Sequence, residues 1–364
     1  VTPDQIHMAH ALRLAARGNG TTWPNPSVGC VIVKDGQILG RGTTQPGGRP
    51  HAERVALAQA GDAAHGATAY VTLEPCAHHG KTSPCAEALV AAGIARVVTA
   101  LTDPDPRVSG GGHAILRRAG IEVTEGVLTE AATRVTQGFL KRLTRGLPLV
   151  TLKLAASLDA RTALASGESR WITGPQARAH VHLLRLTHDA VLIGSGTALA
   201  DDPDLTVRHL GRTGHQPLRI VLDSNLRHSP DSRLGRSAET HPVWILHGPD
   251  APQPRRLAWA ETGARLIEVA TTPNGHIALP QAFRSLAEEG LTRILAECGA
   301  TLAAALVAES LVDDLALYSA GLLLGAESRP LLGPLGLDRL ADAPRLTLRE
   351  TQTLGPDQFS LWSF

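Results

Sequence analysis

The chain has 364 residues, 43% of them hydrophobic and 19% charged, with a formal net charge of +1. These values fit a soluble globular enzyme of two domains and exclude a disordered chain or one built to wrap a polyanion. Aromatic residues make up only 3%, too few for the stacking platform and basic groove of a single-strand nucleic-acid binder.

No apolar run is long enough to span a bilayer and no secretory pattern opens the chain, so a cytoplasmic location without membrane contact is expected. The cysteines, Cys30, Cys76, Cys85 and Cys298, are too few and too uneven for a disulfide framework.

In residues 1–146, apolar runs at 28–33, 69–73 and 97–100 read as strands between helical patterns, which predicts a three-layer α/β sandwich. Cys30 lies in the first run and reads as a buried structural thiol. Lys34 precedes Asp35-Gly36 and reads as a solvated turn residue. A helix over 52–60, stopped by Gly61, places His51 and Glu53 in its first turn, where the helix dipole favours negative charge. A second helix starts at Cys85 and covers 86–92.

These positions carry chemistry together. His51, Cys76 and Cys85 offer one nitrogen and two sulfurs, the donor set of a zinc site that keeps its fourth position for water. Glu53 adds a carboxylate free to move protons, and the order His-x-Glu, Pro-Cys, Cys is that of the zinc deaminases. The cysteines stand further apart than in the short form of that signature, and the insert, residues 78–82, is polar and reads as substrate-recognition machinery.

Gly146-Leu147-Pro148 breaks the pattern after a helix ending near Lys141-Arg142, so domains 1–146 and 147–364 are expected. Strands are predicted at 149–152, 190–194, 218–223, 243–247, 294–297 and 315–320. Only four lysines occur, Lys34, Lys81, Lys141 and Lys153; a lysine kept in an arginine-rich chain points to a task arginine cannot do. Lys153 lies in an apolar strand, so either it sits at an edge and reaches solvent or an anion lies beside it. Gly194-Ser195-Gly196-Thr197 is a short glycine-rich turn without the full dinucleotide fingerprint. Gly299-Ala300-Thr301-Leu302-Ala303 opens a helix after a strand and offers backbone N–H groups to a pyrophosphate.

The segments 24–33, 50–53, 72–85, 138–142, 152–159, 166–173 and 200–208 together resemble the bifunctional riboflavin-biosynthesis deaminase/reductase family, nearly end to end. The resemblance implies a cytidine-deaminase-like three-layer sandwich followed by a dihydrofolate-reductase-like α/β domain, with zinc and NADPH as cofactors. It implies that Asn25, His78, Lys81 and Thr82 contact the pyrimidine and its phosphoribosyl arm, Lys81 at the phosphate; Asn25, between two prolines, also suits a plain turn. His79 and His65 suit the surface. For the second domain it implies an NADPH site at Ala155, Trp171, Thr197, Asp201, Ser224, Gly299, Ala300, Thr301, Leu302, Ala303, Ala304 and Ala305. Reductase substrate falls to Lys153, Ser169, Arg185, Leu205, Arg208 and Glu297. Trp171 also suits a core position, and Arg185 and Arg208 also suit ordinary surface charges. Ser83 stands where the family usually has proline, and Cys298-Gly299-Ala300 departs from the usual small-Gly-Pro.

The implied function is two successive steps: deamination of a phosphoribosylaminopyrimidine, then NADPH reduction of its ribosyl group to ribityl. A homo-oligomer is expected. Two other readings stay open, a nucleic-acid-editing deaminase and a zinc deaminase whose second half is a non-catalytic binding module.

Overall fold

The computed structural model describes residues 1–79, 83–105, 109–208, 210–211 and 214–364. The chain divides into two compact units, Val1–Leu147 and Pro148–Phe364.

The first unit runs α1 (Pro3–Gly18), β1 (Gly29–Lys34), β2 (Gln37–Thr43), α2 (Ala52–Ala60), β3 (Thr68–Val71), α3 (Cys85–Ala91), β4 (Arg96–Thr99), α4 (Gly111–Arg118), β5 (Glu122–Thr124) and α5 (Thr129–Arg145). Its sheet has the order β2-β1-β3-β4-β5, with β1 antiparallel to both neighbours and β3, β4 and β5 parallel. The run Cys30-Val31-Ile32-Val33 is apolar throughout because both faces are covered. Cys30 and Ile32 pack toward α2, α3 and α4, and Val31 and Val33 toward α1 and α5. This is the expected three-layer sandwich, and Cys30 is fully buried as a structural thiol.

Glycines set the distances between these layers. A Cβ on Gly42 would stand 2.0 Å from the carbonyl oxygen of Ala52, and one on Gly40 would stand 2.2 Å from that of Ala56. Strand β2 therefore lets the backbone of α2 lie flush upon it, which fixes where His51 and Glu53 stand.

The second unit runs β6 (Leu149–Ser157), β7 (Arg161–Ala163), α6 (Pro175–Leu186), β8 (Ala190–Gly194), α7 (Ser195–Asp201), β9 (Leu218–Leu222), α8 (Arg233–Arg236), β10 (Val243–His247), α9 (Gln253–Ala260), β11 (Arg265–Glu268), α10 (Leu279–Glu288), β12 (Arg293–Ala296), α11 (Ala300–Ala308), β13 (Asp314–Ala320), β14 (Arg329–Pro330), β15 (Thr347–Leu354) and β16 (Asp357–Ser363). Its main sheet has the order β11-β10-β9-β8-β12-β6-β13-β16-β15. Strands β11 through β13 in that order are mutually parallel, and β16 and β15 close the sheet antiparallel. The arrangement is the dihydrofolate-reductase-like one. Because β6, β8, β9 and β12 run parallel, their C-terminal ends share one edge, where open parallel sheets bind ligands.

No helix among the described residues is long and apolar enough to cross a membrane.

Candidate active sites

In the first unit, His51 is the N-cap of α2 and makes no side-chain capping bond, so its ring is free to turn inward. Cys85 is the first residue of α3. The first two amides of that helix dock on Cys76: the N–H of Cys85 donates to its Sγ at 3.2 Å and the N–H of Ala86 to its carbonyl oxygen at 3.2 Å. His51 Nδ1 lies 3.7 Å from Cys76 Sγ and 3.3 Å from Cys85 Sγ. The three potential ligand atoms all fall within 4.8 Å of one another.

The electrostatics of the set favour a thiolate. A hydrogen bond from the Cys85 thiol holds the Cys76 thiol down at about 4, while the same contact pushes Cys85 well above the usual thiol range. Cys76 is thus favoured as the thiolate of the pair, and a bound divalent cation would favour ionisation of both sulfurs. One nitrogen and two thiolates fit zinc. Glu53 is buried, 4% exposed, and burial raises its carboxyl to about 6.

Glu74 anchors the ligand-bearing segment. Its buried carboxylate accepts from the N–H groups of Asp103, Gly110, Gly112 and His113 at 2.8–3.3 Å. A Cβ on Gly112 would stand 1.9 Å from the Pro75 oxygen, so α4 lies directly against Glu74-Pro75-Cys76.

Asn25 sits in a tight turn, donating its N–H to the Thr22 oxygen at 3.0 Å. Its side chain also lies over Gly48, where a Cβ would stand 2.0 Å from Asn25 Nδ2. His78 is exposed, and exposed His79 pairs with Glu87 at 3.0 Å. Lys81 and Thr82 lie outside the described residues. Lys34 is exposed and donates to the His65 oxygen at 2.9 Å.

In the second unit, the pairing of Leu152 with Ala296, the last residue of β12, brings Lys153 on β6 level with Glu297 just beyond the end of β12. Burial lowers the Lys153 ammonium, and the Glu297 charge opposes that shift. Lys153 is thus no edge-strand lysine: β6 is flanked by β12 and β13, and the expected anion is a carboxylate of the chain itself. Arg185 grips Glu297 through Nε at 2.6 Å and Nη2 at 2.9 Å, and its Nη1 donates to the Thr206 oxygen at 2.9 Å. Burial raises the Glu297 carboxyl, but the Arg185 charge and hydrogen bond outweigh it and the net shift is downward.

Along the same edge, Thr197 and Asp201 belong to α7 after β8, and Ser224 follows β9. Ser224 lines a cleft of about 230 Å³ with Ser195, Asp223, Asn225, Arg227, Asn274, Gly275 and His276. Arg227 donates to Ser195 Oγ at 2.9 Å. Gly299 is the N-cap of α11; Thr301 is exposed, whereas Ala303 and Ala304 are buried in the core. Hydroxyls and a guanidinium in that cleft, beside the bare backbone of Gly196, suit the phosphates of a dinucleotide.

Ala155 packs in the cluster of Tyr318, Phe359 and α6. Leu205 is buried and Ser169 exposed. Arg208 pairs with Asp204 at 2.5 Å.

Comparison with known proteins gives two family matches: "Cytidine and deoxycytidylate deaminase zinc-binding region" over residues 1–101 and "RibD C-terminal domain" over residues 148–359. The chain is 47% identical to the riboflavin biosynthesis protein RibD of Escherichia coli, with 97% of each chain covered. It is 46% identical to that of Haemophilus influenzae, covering 97% of this chain and 95% of the relative. The chain belongs to the RibD family.

Solved RibD-family structures agree with it over nearly all of its length. Acinetobacter baumannii RibD aligns at a TM-score of 0.88 with 41% identity, covering 99% of this chain and 98% of that one. The Thermotoga maritima diaminohydroxyphosphoribosylaminopyrimidine deaminase/5-amino-6-(5-phosphoribosylamino)uracil reductase aligns at 0.85 with 32% identity and the same coverage.

Two alternative readings are corrected. Trp171 is not a core residue: it is 70% exposed, with the Arg178 guanidinium stacked 4.4 Å from its ring centroid. Arg185 is likewise no free surface charge, because its fork is filled by Glu297 and Thr206. Sequence reasoning passed over Asn274 and His276, whose place in the cleft depends on the fold. It also passed over Tyr318, whose hydroxyl meets His180 Nδ1 at 2.7 Å and whose ring faces Lys153. The available signal was its rarity, since the chain has two tyrosines.

Proposed function

We propose that this member of the RibD family catalyses two consecutive steps of riboflavin biosynthesis, one in each unit. The first removes an amino group from diaminohydroxyphosphoribosylaminopyrimidine by hydrolysis, releasing ammonia. The second reduces the ribosyl group of the product, 5-amino-6-(5-phosphoribosylamino)uracil, to a ribityl chain with NADPH. The observation that carries the reading is the convergence of His51, Cys76 and Cys85 beside the buried Glu53.

In the first unit those three residues hold zinc, which when bound lowers the pKa of water to about 7. Glu53 does the proton work. With its carboxyl near 6 it takes a proton from the attacking water at neutral pH and passes it to the ring nitrogen, then takes the second proton from the newly added hydroxyl and delivers it to the departing amine, which leaves as ammonia. Asn25, His78, Lys81 and Thr82 hold the pyrimidine and its phosphoribosyl arm.

In the second unit bound NADPH supplies the hydride. Ala155, Trp171, Thr197, Asp201, Ser224 and the 299–305 turn line its site, and Lys153, Ser169, Leu205, Arg208 and Glu297 hold the substrate. Lys153 presents its ammonium to the opened sugar, and Arg185 keeps Glu297 ionised and oriented. A cytoplasmic location is part of this reading. A homo-oligomer is supported by β15, an edge strand with seven of eight residues exposed.

The test is a coupled assay on the purified chain. Ammonia should appear from the diaminopyrimidine without NADPH, and NADPH should be consumed only when the deaminated product is present. Ammonia release without any consumption of NADPH would leave the second unit as a binding module.

A further inference from the structure

Two side chains outside the ligand set join the segments that carry it. Helix α2 brings His51 as its N-cap, Glu53 in its first turn and then Arg54. Helix α3 begins with Cys85, preceded by Ser83-Pro84. Nη2 of Arg54 donates to the carbonyl oxygen of Ser83 at 3.0 Å and also to Ser83 Oγ. One guanidinium nitrogen thus meets both acceptors of a residue two positions before a sulfur ligand.

We propose that Arg54 and Ser83 form a latch that holds the approach to Cys85 against α2 and so keeps Cys85 and His51 in register for the metal. The proposal rests on the metal reading of the first unit. The physical need is clear from the geometry: His51 and Cys85 sit at the starts of two separate helices packed side by side, so the spacing of their ligand atoms follows that of the helix ends. A proline at position 83 would restrict the backbone by its ring alone. Serine gives up that restriction but supplies a hydroxyl acceptor that proline lacks. A hydrogen bond to a charged donor then does from α2 what the ring does covalently. Arg54 and Ser83 are positioning residues, and neither touches the reacting atoms.

The latch makes a prediction that a merely exposed arginine would not. Release of a metal held by three protein ligands begins when one ligand swings away, and the latch resists that motion at Cys85. The experiment follows zinc transfer from the full-length zinc-loaded protein to a colorimetric chelator, with melting curves confirming that each variant is folded. Arg54→Ala and Ser83→Ala should each speed release by roughly three- to tenfold, the range for losing one such hydrogen bond. The double variant should release no faster than Arg54→Ala alone. Ser83→Pro placed in the Arg54→Ala background should restore slow release. NADPH-dependent reduction of supplied deaminated substrate should stay unchanged throughout. Wild-type release from Arg54→Ala, multiplication of the two single effects, or failure of Ser83→Pro to rescue would each overturn the latch. Absence of zinc from the wild-type protein would instead contradict the metal reading, and the latch with it.

Discussion

Arg185 and Glu297 meet fork to fork at 2.6 and 2.9 Å, with side chains only 11% and 12% exposed, and Lys153 on β6 lies level with Glu297 just past the end of the neighbouring β12. A carboxylate this buried stays ionised chiefly because the guanidinium faces it, with the Lys153 and His182 charges adding to the effect.

Arg185→Ala should therefore cost the second unit about 3–5 kcal/mol, the usual penalty for stripping one partner from a buried pair. Thermal melting should show that loss, and NADPH consumption should fall with it while ammonia release continues. Arg185→Lys keeps the charge but not the fork, so it should melt between the two and reduce slowly. A wild-type melt and wild-type reduction in Arg185→Ala would contradict the role given to the pair.

His188 supplies a pH test of the second unit's stability. Its Nδ1–H donates to the Leu184 oxygen at 2.7 Å and its Nε2 accepts from the Thr151 hydroxyl at 2.9 Å, a pattern that needs the neutral ring. Burial lowers its pKa from 6.5 to about 3. Between those values the unfolded chain binds a proton that the folded one does not, so stability rises with pH across that window. The contribution is complete above pH 6.5 and is lost progressively as the pH falls toward 3. Denaturant titrations of His188→Gln over this range should show a shallower pH dependence, by about one proton. An unchanged slope would show that His188 is not held neutral.

Cys76→Ser should strip tightly bound zinc from a protein that otherwise carries about one per chain, because the alcohol is a far poorer ligand than a thiolate. Metal analysis after dialysis decides it. Retention should also weaken in acid, since the ligands must lose their protons to bind. Undiminished tight zinc in the variant would remove Cys76 from the ligand set.

Arg227, which donates to Ser195 Oγ, supplies a cation to the cleft that contains Ser224. A 2′-phosphate there gains charge-assisted hydrogen bonds that NADH cannot make. Arg227→Ala should raise the KM for NADPH roughly tenfold or more while leaving that for NADH nearly unchanged. Equal effects on both cofactors would place the phosphate elsewhere.

Much of this was legible in the sequence because it is local. Cys30 to Val33 reads as a strand buried on both faces, and the helix from Ala52 to Ala60 ends at Gly61 as its pattern predicts. The ligand order needed only spacing. What escaped depends on contacts between distant segments. Strand β2 was not read because Gly40 and Gly42 weaken its pattern, and they are there to admit α2. The β15–β16 pair was not read because β15 is polar and exposed along most of its length. Lys153 announced an anion, but only the insertion of β12 beside β6 makes that anion Glu297. Trp171 gave no sign of its exposure, since a lone tryptophan suits core and surface alike.

The central claim is that two chemistries reside in separate units of one chain. The measurement that tests it most directly follows ammonia release and NADPH oxidation side by side in folded, full-length Glu53→Gln. The substitution keeps the size of the buried side chain and removes its proton traffic. Ammonia release should fall by at least ~100-fold, the lower range for general acid–base catalysis, while supplied 5-amino-6-(5-phosphoribosylamino)uracil is reduced at the wild-type rate. Lys153→Ala should give the reverse pattern. Loss of both activities in well-folded Glu53→Gln would contradict the account and require a single shared site.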